Sequence, residues 1–95
     1  MEHFTQANLE RTVGENVTLT DGNGVAITLR VDSVHQGKLD ESRWESFSVT
    51  LTDQEPGRIP QGTYQIAHEN FGDLPLFVSP NNETQYEIIV NKERK

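Results

Sequence analysis

Apolar and polar residues alternate most regularly between Trp44 and Thr52. Phe47, Val49 and Leu51 share one face, and Ser46, Ser48, Thr50 and Thr52 share the other. Side chains change face at every strand residue, so this stretch predicts a half-buried antiparallel strand. The same period marks five more stretches. Val17 to Asp21 sets Val17 and Leu19 inward, and Val25 to His35 sets Ile27, Leu29 and Val31 inward. Gly62 to Glu69 carries Tyr64, Ile66 and His68 on one face. Leu74 to Ser79 carries Leu74, Leu76 and Val78, and Tyr86 to Asn91 carries Tyr86, Ile88 and Val90.

The turns between these stretches constrain how they pair. A two-residue loop at Gly22-Asn23-Gly24 would set Leu19 and Val17 opposite Ala26 or Thr28, on the wrong face. A three-residue loop pairs Leu19 with Ile27 and Val17 with Leu29. It needs one left-handed residue, which Asn23 or Gly24 can supply. Matching faces further predicts Ile27–Leu51, Leu29–Val49 and Val31–Phe47, with Val34 opposite Trp44 on the outer face. Asn70 to Asp73 turns the next hairpin and places Leu74, Leu76 and Val78 opposite His68, Ile66 and Tyr64. Pro75 marks an end or edge position, because it cannot donate to a ladder. Asp53 to Gln61, with Pro56-Gly57 and Pro60, reads as a turn-rich connection with Ile59 tucked beneath it.

Ahead of the strands, residues 5–13 predict one short helix. Thr5 is the N-cap, Phe4 and Leu9 form a hydrophobic staple, and Gly14 suits the C-terminal cap. Residues 92–95, Lys-Glu-Arg-Lys, form a charged tail. The expected fold is therefore all-β, a single domain over residues 1–95. It is a six-stranded antiparallel meander forming a small barrel or two-layer sandwich, with one short N-terminal helix.

Charge and composition narrow the function classes. Eight basic residues against 15 acidic ones give a net charge of −7. That balance argues against nucleic-acid phosphate and against an anionic membrane surface as partners. Cysteine is absent, so neither a disulfide nor a thiolate site is possible. The start of the chain shows no basic region followed by an apolar run, so no signal peptide is expected and synthesis is assigned to the cytoplasm. No apolar run approaches the ~20 residues that span a bilayer. The sequons at Asn16 and Asn82 are read as coincidental for the same reason.

No constellation of chemical groups marks an enzyme, a cofactor or a metal. His3 and His35 lack a partner at ligand spacing. Asp21 and Asn23 resemble the opening of a calcium loop, but Val25, Ile27 and Leu29 stand at the later ligand positions. His68 lies on the core face, where a histidine donating to a loop carbonyl is the ordinary reading and catalysis would need a further partner. The acid pairs Asp40–Glu41 and Asp53–Glu55 lie in loops, and the many Ser and Thr residues take outward strand positions. The outward apolar residues Val34, Trp44, Phe77 and Ile89 are more informative. They are covered either by another layer or by a partner protein or second copy. Trp44 beside the Gln36–Arg43 loop also allows a small-ligand or carbohydrate platform. The candidate binding set is thus Val34, Trp44, Phe77 and Ile89, with His68 beside them.

Several pieces read together carry a resemblance. They are Trp44-Glu45-Ser46-Phe47-Ser48, then Pro60-Gln61-Gly62-Thr63-Tyr64 with His68 and Gly72, then Leu76-Phe77-Val78-Ser79-Pro80, then Tyr86-Glu87 with Asn91. In order and spacing the chain resembles a family of small bacterial proteins of unknown function and of about this length. The resemblance covers nearly the whole chain. Such proteins tend to be encoded beside phage-tail-collar-like fibre proteins, so the resemblance implies an accessory or structural role, and it carries no catalytic residues. A non-enzymatic protein–protein interaction module is the expected function.

Overall fold

The computed structural model describes residues 3–57 and 59–93. One helix, α1 (Gln6–Glu10), precedes six strands: β1 (Asn16–Thr20), β2 (Ala26–Gln36), β3 (Trp44–Thr52), β4 (Gly62–His68), β5 (Gly72–Pro80) and β6 (Gln85–Glu93). All pairings are antiparallel, and the strands close a barrel in the order β1-β2-β3-β6-β5-β4. The fold is therefore all-β with a short helix, and of the two expected architectures, barrel and sandwich, it is the barrel.

The meander order is corrected. Each half, β1-β2-β3 and β4-β5-β6, is a hairpin-linked meander. Between them the chain crosses the barrel end, because β3 pairs with β6 and not with β4. Asp53 to Gln61 makes that crossing, and its Ile59 is buried over the core. The Asp53 amide donates to Thr84 O at 2.8 Å and the Gly57 amide to Glu83 O at 2.8 Å, which holds the crossing against the β5–β6 loop. Tyr64 Oη donates to Pro60 O at 2.6 Å from below.

The first hairpin has the expected register, with Val17↔Leu29 and Leu19↔Ile27. Asp21 N–H reaches Val25 O, and Gly24 takes φ +82°, the left-handed residue this turn needs. The β2–β3 register differs from expectation: Val31 lies opposite Leu51, and Val34 lies opposite Val49. A bulge between Val31 and Ser33 is the reason. One extra residue moves the inward positions from odd to even numbers. Val34 therefore packs against the core and does not face outward beside Trp44. In the β4–β5 hairpin Ile66↔Leu74 and Tyr64↔Leu76 replace the expected pairs. That slip of two residues left every face correct, since faces repeat at every second residue.

α1 is shorter than residues 5–13. Thr5 caps it by accepting from the Asn8 amide, as expected. After Arg11 the amides of Thr12 and Val13 bond three residues back, and the Gly14 amide turns away to Val31 O at 2.8 Å. The chain is thereby drawn into the sheet before another helical turn can form. Phe4 and Leu9 are both buried and close the lower barrel end. The Phe4 ring stacks on Phe47 at 5.9 Å and meets Phe71 edge-on at 4.9 Å. Lys92, assigned above to a tail, belongs to β6; its Nζ donates to Phe4 O at 2.9 Å and lies 3.3 Å from Glu45. The end of that tail, residues 94 and 95, lies outside the described residues.

Candidate functional site

Backbone direction locates the weakest ladder of the closed barrel. In an antiparallel strand the N–H and C=O of one residue point to one neighbour, and those of the next residue point to the other. The Gly37 amide donates to Ser46 O at 2.7 Å, so even-numbered residues of β3 face β2 and odd-numbered ones face β6. Through the β3–β6 register, residues 86, 88, 90 and 92 of β6 then face β3. Residues 87, 89, 91 and 93 face β5. The β5–β6 ladder, however, consists only of Ser79↔Glu87 and Pro80↔Tyr86. Below it, β5 and β6 run on without ladder pairs.

Continuing that register by twos sets Phe77 opposite Ile89, Pro75 opposite Asn91 and Asp73 opposite Glu93. Phe77 is 54% exposed and Ile89 63%, while Leu76, Val78, Ile88 and Val90 beside them are buried. The apolar pair thus sits on the outer surface where the ladder stops. Two features account for the stop. Pro75 has no N–H to offer β6. Asp73 and Glu93 would place like charges across the same pair of strands.

A shallow groove of about 360 Å³ adjoins β6, lined among others by Lys38, Leu39, Ser46, Ser48, Ile89 and Asn91. Leu39 is 42% exposed and joins Ile89 there. Ser46 Oγ donates to Asn91 Oδ1 at 2.7 Å across its floor. The groove wall is built by the β2–β3 loop, where Asp40 accepts from the Ser42 amide at 3.0 Å and the Ser42 hydroxyl at 2.9 Å. Those two bonds, the amide first, hold the Asp40 carboxyl below its ordinary 3.8. Trp44 then starts β3, its amide donating to Asp40 O at 2.9 Å.

The candidate residues do not form one cluster. Phe77 and Ile89 are exposed, and the continued β5–β6 register sets them opposite each other. Trp44 is half-buried at the far end of β3, opposite Glu93. Val34 is part of the core surround. His68 is held in a structural network at the lower end, with its side chain 8% exposed. Its Nδ1 accepts from the Asn70 amide at 2.9 Å, which leaves Nε2 to carry the proton that it donates to Glu15 Oε1 at 2.9 Å. Asn70 Nδ2 donates to the buried Thr12 Oγ1, which donates to Asn8 O. His68 therefore ties the β4–β5 turn to the segment after α1, with the carboxylate, not a loop carbonyl, as its acceptor. Leu39 was missed by the sequence reading, although it is the one large apolar residue of the Gln36–Arg43 loop.

The larger cavity, about 460 Å³, lies outside the barrel between β2 at Ala26–Arg30 and the segment Asp53–Glu55, and holds none of these residues. Among the described residues, no group of three or more His, Asp or Glu side chains is arranged to hold a metal ion, and no helix is long and apolar enough to cross a membrane.

Residues 4–90 match the family model described as domain of unknown function DUF6916. The chain belongs to this DUF6916 family. No curated protein and no solved structure matches it. The DUF6916 match runs from Phe4, the aromatic plug, to Val90 on the inner face of β6, so the family unit holds the plugged barrel with Phe77 and Ile89 and ends before Asn91 and Glu93.

Proposed function

We propose that this chain is a non-enzymatic protein–protein interaction module, acting as an accessory to a tail-like or fibre-like assembly. The observation that carries the docking role is the exposed pair Phe77 and Ile89, beside a ladder that stops in the middle of a closed barrel. Burying the exposed half of two such side chains against a partner stabilises a complex by roughly 1–1.5 kcal/mol each. Exposed Leu39 extends the same surface across β3. The assembly context rests on the resemblance carried by the strand and turn motifs.

The test compares wild-type protein with the double variant Phe77→Ser and Ile89→Ser in affinity capture from the native cell, with light scattering alongside. Both side chains are exposed, so circular dichroism should be unchanged. Loss of the captured partners, or of self-association, is the expected result. Identical capture and identical scattering for the two proteins would refute the proposal.

A further inference from the structure

We infer that the open β5–β6 seam takes one extended strand from a partner protein, paired antiparallel to β6 and carrying a basic residue at the mouth of the seam. The inference rests on the docking reading above and names the partner's chemistry. Ile89, Asn91 and Glu93 direct backbone N–H and C=O toward β5, yet the β5–β6 ladder ends at Ser79↔Glu87. A row of such groups is complemented by another strand. β6 is the better template of the two edges, because Pro75 interrupts the donors of β5.

Charge decides what that strand carries. Asp73 and Glu93 face one another at the mouth in the continued register. Glu93 has one exposed partner, Arg43 at 3.8 Å. Of the other described cations in this part of the fold, Lys92 turns to Phe4 O and Glu45, and Lys38 lines the outer groove with Ile89 and Asn91. A lysine or arginine between the two carboxylates relieves their repulsion, and the chain's net charge of −7 attracts a basic segment. Four residues further along, the strand meets Ile89 and Phe77, which call for an apolar side chain. Opposite Asn91 a polar residue fits.

The probe is the peptide acetyl-Lys-Val-Thr-Val-Ile-amide, whose first, third and fifth residues would oppose Glu93, Asn91 and Ile89. Titration into the full chain, followed by amide NMR, should shift the resonances of Ile89, Asn91 and Glu93 above all. Replacing the peptide's lysine by glutamate should weaken binding by about tenfold or more. N-methylation on the alternate set of peptide nitrogens facing β6 should do the same, and methylation on the other set should not. Equal binding of both methylated peptides overturns strand pairing while leaving Phe77 and Ile89 as a docking surface. Absence of binding by the lysine peptide also overturns the inference. Equal binding to wild type and to the Phe77→Ser, Ile89→Ser variant would move the peptide off this seam altogether, and so count against the docking reading as well.

Discussion

The two edges of β6 meet opposite fates. Toward β3 every residue is paired, from Gln85 opposite Thr52 to Glu93 opposite Trp44. Toward β5 the ladder closes at the top and stops after Ser79↔Glu87. Both edges belong to one strand with the same inward residues, Tyr86, Ile88 and Val90. The difference therefore comes from the neighbours. β3 offers unbroken alternation and no proline. β5 offers Pro75 where an N–H is needed and Asp73 where a cation or neutral residue would pair with Glu93. Burial of the inner face is enough to keep β5 in the barrel, through its full ladder with β4. Closure of a sheet by packing and closure by hydrogen bonds are thus separable.

The largest break in this comparison should come from the sealed side. Phe47→Ala removes a side chain that is 1% exposed and stacked on Phe4, and should cost about 3–5 kcal/mol in denaturant unfolding. A cost under about 1 kcal/mol would mean that the plug and the β3–β6 edge do not share one core. Gly37→Ala comes next. A Cβ there would lie 1.9 Å from Ser46 Oγ and 2.9 Å from the Ser46 carbonyl carbon, so the end of the β2–β3 ladder must move. We expect a loss of about 1–3 kcal/mol, with Leu39 displaced from Ile89.

Tyr64 gives a pH-dependent test of the crossing above the core. Burial first, then the charge of Asp21 and the neighbouring Tyr86, raises its phenol above the ordinary 10.0. The folded form holds that proton more tightly than the unfolded form. The resulting stability is fully present below pH 10 and is lost as pH rises through the folded value. Tyr64→Phe should lose about 1 kcal/mol near neutrality, from the bond to Pro60 O, and should flatten the alkaline decline. An unaltered decline in the variant would assign it to other groups.

The smallest effects belong to the seam. Ile89→Ser should change stability by no more than about 0.5 kcal/mol, since the side chain is already 63% exposed. Native-state hydrogen exchange sharpens the comparison further. The amides of Ile88 and Val90 face β3 and should be protected, whereas those of Ile89 and Asn91 face the open side and should exchange much faster. Equal protection of the two sets would show the seam to be closed in solution.

The faces of the strands were legible in the sequence because they depend only on parity. Val17 with Leu29, the odd positions of β3, and the exposure of Phe77 and Ile89 all followed from it. A slip of two residues is invisible to that reasoning, and this is how the β4–β5 pairs were displaced. Val34 failed for a different reason. The apolar positions switch from Val31 to Val34, which is the mark of a bulge, but unbroken alternation was assumed across it. Strand order was beyond local pattern, because whether β3 meets β4 or β6 is settled by closing the barrel. The seam itself could have been suspected from Pro75 and Asp73, had β5 and β6 been set in register.

The crossover at Asp53 to Gln61 also has a consequence in time. Each half can form from hairpins alone, with short loops to close. The β3–β6 and β1–β4 ladders join residues far apart in the chain and must wait until both halves exist. Until they meet, β3 presents to solvent the whole edge that will later hold β6. The chain is thus most adhesive just before its last ladder forms, and the pace of that final docking governs how much of it survives to become a closed barrel.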